Sequence, residues 1–102
     1  KDFNAAFGLF KQAFDLDPLE YTYALNSGLA LYENGQYQEA VSYLNRIQSS
    51  QKENLKEKAL RYKALALYKA GSFPEACATF LKLKNNYPKR MYQQEFNKYC
   101  TN

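Results

Sequence analysis

Between Tyr21 and Gln48 apolar residues return every three or four positions, at Leu25, Leu29 and Tyr32 and then at Ala40, Val41, Leu44 and Ile47. That spacing lays each set along one side of an α-helix, and predicts helices over 21–34 and from 37 to about 48. Asn34-Gly35 separates them, since glycine tolerates the left-handed conformation that closes a helix. The alternation then repeats, with a helix over 54–70, a break at Gly71 and a helix over 72–85. Ser72 reads as the N-cap of that helix, with Glu75 three residues on and Pro74 in the first turn. Tyr87-Pro88 stops it. Ahead of these, Asp2 to Leu16 sets Phe3, Ala6, Phe10 and Ala13 on one face and ends at Asp17-Pro18. Behind them, Lys89 to Cys100 carries Met91, Tyr92, Phe96 and Tyr99. The expectation is an all-α chain of six helices in antiparallel pairs.

The pattern also repeats in detail. Leu29-Ala30-Leu31-Tyr32 is answered by Leu65-Ala66-Leu67-Tyr68, Gly35 by Gly71, Tyr37 by Phe73, and Glu39-Ala40 by Glu75-Ala76, always 36 residues later. Leu44 meets Phe80 and Ile47 meets Leu83 at the same offset. A fixed period of this kind marks a repeat architecture, each unit being one helix pair that buries its apolar face on its neighbours. The polar stretch Ser49-Ser50-Gln51-Lys52 lengthens the period.

The pattern resembles the tetratricopeptide repeat, a small-large-small series across two helices over about 34 residues. Gly28, Leu31, Gly35, Tyr37, Ala40 and Leu44 fill the matching positions of one unit, and Ala64, Leu67, Gly71, Phe73, Ala76, Phe80 and Pro88 those of the next. Phe3, Ala6, Phe10, Ala13 and Pro18 match the second helix of a preceding unit. The resemblance implies an α-solenoid forming one domain over 1–102, divided into a half repeat at 2–17, repeats at 21–50 and 53–88, and a capping helix at 89–101. Two departures stand out. Ala24 and Leu60 occupy the position where an aromatic often opens a unit, and the last helix lacks the small residue.

The resemblance also implies a protein-binding scaffold whose concave groove is lined by the first helix of each pair. Thr22, Leu25, Asn26, Leu29, Tyr32 and Glu33 would face it from one unit, and Lys58, Arg61, Tyr62, Leu65, Tyr68 and Lys69 from the next. The peptide-binding set expected from this is Asn26, Leu29, Tyr32, Lys58, Arg61, Tyr62, Leu65, Tyr68 and Lys69. Leucines and tyrosines beside a cationic end suit a peptide that carries acidic groups. The competing reading is that Leu25, Leu29 and Leu65 pack against a neighbouring helix. Some members clamp the terminal carboxylates of large chaperones. Asn26 and Lys58 match two positions of that clamp, but Tyr62 stands where its Arg belongs and Arg61 is displaced by one.

Composition narrows the function further. The chain has no histidine, so the commonest general base and metal ligand are both absent. Glu53 and Glu57 sit among Lys52, Lys56 and Lys58, which reads as ion pairing along a helix surface. We therefore expect no enzyme activity, cofactor or metal. Cys77 falls in the stripe Ala76, Phe80, Leu81, and both it and Cys100 read as reduced structural thiols. No apolar run reaches the roughly 20 residues of a membrane span.

Charge is uneven. Residues 1–50 hold three Lys or Arg against six acids, and residues 51–102 hold eleven against four. This suggests an acidic partner for the second half or acidic neighbouring repeats in a longer parent protein, and it reads equally as a solvated face with no partner. A nucleic-acid reading, with phosphates on the basic half and bases on its tyrosines, is weakened by Glu53, Glu57, Glu75 and Glu95. A third reading is a spacer inside a longer helical-repeat protein. Phe3, Phe7, Phe10 and Phe14 would be left uncovered without a preceding helix, which predicts self-association through them. The chain opens Lys1-Asp2-Phe3 without Met, as a fragment or processed form would. Compartment is open, with the cytoplasm favoured; Asn85-Asn86-Tyr87-Pro88 is similar to periplasmic envelope-assembly members of the family.

Overall fold

The computed structural model describes residues 21–50 and 52–101. They form helices α1 (Tyr21–Glu33), α2 (Tyr37–Arg46), α3 (Glu53–Lys69), α4 (Phe73–Asn86) and α5 (Arg90–Cys100), with a 3₁₀ turn at Ile47–Ser49 after α2. No strand occurs among the described residues. Each helix packs on the next, and α1 also meets α3, which is the side-by-side stacking of helix pairs. The helix expected over Asp2–Leu16, its break at Pro18 and its phenylalanine face lie outside the described residues.

The two sharp turns are built alike. Gly35 and Gly71 have φ of 81° and 87°, the left-handed region where a side chain would be strained. Gly35 N–H donates to the Tyr32 carbonyl and Gln36 N–H to that of Leu31. Gly71 and Ser72 do the same to Tyr68 and Leu67. This pair of bonds is the Schellman closure, which satisfies the last carbonyls of α1 and α3. The sequence expectation for Ser72 is corrected here. Its hydroxyl makes no capping bond, and its backbone sits at φ −85°, ψ 65°. The Schellman turn holds it away from the extended conformation that an N-cap hydroxyl needs.

Small residues sit where helices cross. Ala40 and Ala76 are both 0% exposed, and a β-carbon on Gly28 would come within 2.6 Å of Leu44. The equivalent contact positions one period on are Ala64 and Phe80, likewise fully buried. Two apolar clusters result, one holding Leu31, Leu44 and Ile47 and the other Leu60, Leu67, Phe80, Leu83 and Tyr92. The 3₁₀ turn carries Ile47 into the first cluster after α2 has ended. Buried hydroxyls are satisfied locally, Ser27 donating to the Tyr23 carbonyl and Thr79 to that of Glu75.

The cysteines overturn the expectation of free thiols. Cys77 on α4 and Cys100 at the end of α5 form a disulfide, with their Cα atoms 5.5 Å apart. The repeat explains the encounter. Val41 and Ala64 are 23 residues apart, as are Cys77 and Cys100, and each member of the second pair stands one period after its counterpart. Val41 packs on the cluster that contains Ala64. Cys100 thus takes on α5 the position that Gly28 and Ala64 hold on α1 and α3, where the sequence reading saw no small residue.

Candidate functional site

The first helices of successive pairs carry a chain of rings. Tyr32 on α1 meets Tyr62 on α3 edge to face, with centroids 5.5 Å apart, and meets Tyr37 at 5.6 Å. Tyr68 repeats the pattern one period later against Phe73 at 5.1 Å and Tyr99 of α5 at 4.6 Å. Lys69 stands over the Tyr32 ring at 5.2 Å. The Tyr32 hydroxyl, and then its negative field, hold that ammonium above its ordinary pKa. Tyr32, Tyr62 and Lys69 are therefore one cluster spanning two repeats, its two rings half-buried against the first apolar cluster and its ammonium exposed.

Between α3 and α5 lies an open hollow of about 330 Å³, lined by Asn54, Lys58, Tyr62, Met91 and a set of paired charges. Arg61 holds Glu95 with two prongs, Nε at 3.2 Å from both carboxylate oxygens and Nη2 at 2.9 Å from Oε2. The hydrogen bond to Glu95 raises the Arg61 pKa against the opposing effect of burial. Glu57 accepts from Lys89 at 2.5 Å and from the Tyr92 hydroxyl. These two bonds hold its carboxyl below the usual range. Glu53 accepts from Tyr87 at 2.7 Å and from Lys56 at 3.2 Å, with the same effect. Burial, with the carboxylate bond second, pushes the Tyr87 hydroxyl up to about 12 and moves Tyr92 in the same direction.

The expected site residues divide into three groups. Tyr32, Tyr62 and Lys69 come together as described, while Lys58 is exposed at the rim of the hollow with no ion pair among the described residues. Arg61 also reaches the hollow, but its charge is matched by Glu95. Asn26 is half-buried, and Leu29, Leu65 and Tyr68 are half-buried against the two apolar clusters. Leu25, named with the groove residues, is 5% exposed and belongs to the core. Glu57 also departs from expectation, because it pairs across to α5 and not along its own helix. Sequence reasoning missed Glu95, Lys89, Tyr92 and Met91 as members of this surface. Their contacts join α3 to a helix read only as a cap, and no shared motif links them.

Stacked antiparallel helix pairs with a repeated aromatic edge define an α-solenoid. Residues 1–54 match one family described as tetratricopeptide repeat and residues 58–90 match another of the same description. The chain belongs to the tetratricopeptide repeat family. Repeats of this family generally mediate protein–protein interaction and form non-catalytic scaffolds. No curated protein matches the chain. Among the described residues, no helix is long and apolar enough to cross a membrane, and no three Cys, Asp or Glu come together to hold a metal.

Proposed function

We propose that the face formed by α1, α3 and α5 binds a segment of another protein, with apolar contacts made by rings and acidic groups met at its cationic points. The observation that supports this best is the cluster of Tyr32, Tyr62 and Lys69 across two repeats, beside a hollow whose rim carries Lys58, exposed and without an ion pair among the described residues. Half-buried tyrosines give large contact area with little rotamer entropy to lose, so they supply affinity. Lys58 and Lys69 set orientation and on-rate, because exposed charge acts mainly on encounter. Arg61 contributes less than its sequence position implies, since a ligand would have to displace Glu95.

The test is a fluorescence anisotropy screen of the chain against synthetic ten-residue peptides, half of them mixing acidic and aromatic residues and half neutral. Peptides of the first kind are expected to bind, with Lys58→Glu weakening them at least tenfold and flattening the salt dependence. Equal binding by the parent and by Lys58→Glu, or no binding by any peptide, would overturn the proposal.

A further inference from the structure

We infer that the Cys77–Cys100 disulfide is a redox latch on α5, so that the α3–α5 side of the binding face is complete only in the oxidised protein. The consequence for partner binding rests on the reading of that face given above; the latch itself does not.

Several observations converge on α5. Of its eleven residues only Tyr92 is fully buried, whereas the helices before it each bury three or more. Tyr92 lies near the end at which the chain enters from Tyr87–Lys89. The disulfide ties down the opposite end at Cys100. Tyr99, the neighbour of Cys100, stacks on Phe80 at 5.3 Å and leans on Tyr68. The other polar ties to α3 are the Tyr92–Glu57 hydrogen bond near the start of α5 and two partly exposed ion pairs, Arg61 to Glu95 and Glu57 to Lys89 just ahead of the helix, and such pairs hold a helix weakly. With the disulfide open, the second half of α5 keeps only the half-buried contacts of Phe96 and Tyr99 on the second cluster, and a helix whose one fully buried ring lies near its start frays from its free end. Opening the disulfide therefore releases Tyr99 first, uncovers the otherwise buried Phe80, and frees Glu95 from Arg61.

The chemistry is reversible. Closing the bond removes two protons and two electrons from the thiols, and a disulfide-donating oxidant accepts them and becomes a dithiol. A small dithiol or phosphine reductant drives the reverse. Such bonds persist in secreted, lumenal and periplasmic surroundings and are kept reduced in the cytosol. The latch accordingly assigns the complete face to an oxidising compartment, against the cytoplasmic preference of the sequence reading.

Hydrogen exchange read by mass spectrometry tests this on the full 102-residue chain, before and after reduction with a phosphine, and on Cys100→Ser. Alkylation of the oxidised protein should add no label, and reduction should expose two labelled cysteines. Amides of 90–100 should exchange at least tenfold faster after reduction and in Cys100→Ser, with those of 24–44 unchanged. Should Cys100→Ser fail to fold, cycling the parent through reduction and reoxidation gives the same comparison. Two labelled cysteines in oxidised protein, or equal exchange of 90–100 in both states, would overturn the latch. None of these readouts needs a ligand, so the latch and the peptide face fail separately.

Discussion

Leu44 sits directly over Gly28, where a β-carbon would lie 2.6 Å from its Cδ2 and 2.8 Å from its Cγ. The next repeat answers with Ala64 beneath Phe80, so the same crossing is solved once with no side chain and once with a methyl. Gly28→Ala gains about 1 kcal/mol of helix propensity. Overpacking against Leu44 costs about 1–3 kcal/mol, so the net effect is destabilising by roughly 1 kcal/mol. Urea unfolding reads it directly. Pairing Gly28→Ala with Leu44→Val should recover part of the loss, because the two sites share one contact.

Ala76 is fully buried between helices, and its repeat partner Ala40 is the same. Ala76→Leu should destabilise the fold by about 1–3 kcal/mol through overpacking. An unchanged melting temperature would show that Ala40 and Ala76 are not equivalent crossing positions of one repeat.

The Arg61–Glu95 pair is two-pronged and only partly exposed, at 29% and 17% of the side chains. A double-mutant cycle with Arg61→Ala and Glu95→Ala should report a coupling of about 1 kcal/mol, at the upper end for exposed pairs because the guanidinium fork is fully used. Coupling near zero would mean that the pair forms without holding α5.

Acid should loosen the α3–α5 contact. Glu53 and Glu57 titrate below their ordinary value of 4.5 in the folded chain, so their hydrogen bonds stabilise it above that pH. That contribution is lost as pH falls through the folded values, below 4.5. Glu57→Gln should therefore unfold with a shallower pH dependence between about 5 and 3. At the alkaline end the sign reverses. Tyr87, raised to about 12 from 10.0, keeps its stabilising effect below 10 and loses it as pH climbs towards 12. Thermal melts across both ranges check the two limbs.

Much of the fold was legible because the repeat ties each position to another one 36 residues away. Gly35 and Gly71 marked both turns, and the small residues Gly28, Ala40, Ala64 and Ala76 marked the crossings. Helix ends came within one or two residues, except that α2 gives way at Ile47 to a 3₁₀ turn that still buries the isoleucine. The site was less legible. Leu25 has the same helical spacing as Tyr32, and spacing alone does not tell a core-facing residue from a groove-facing one. Arg61 looked available because its partner, Glu95, is 34 residues away on a helix of weak pattern. The disulfide did leave a trace, since Val41 and Ala64 foreshadow Cys77 and Cys100, but it appears only when the period is carried past Pro88 into α5. The tyrosines Tyr62 and Tyr68, expected to line the groove, each also support a ring contact in the structure.

The link between Cys77 and Cys100 also decides how the chain would bear a pulling force. Tension arriving at Cys100 crosses to Cys77 through sulfur, so the intervening backbone carries no load. The bridge spans 23 residues, which at about 3.5 Å each hides about 80 Å of extension from an instrument stretching the molecule. Most of α4, its turn and α5 would stay slack while α1, α2 and α3 come apart, and a reductant in the buffer would return the missing length.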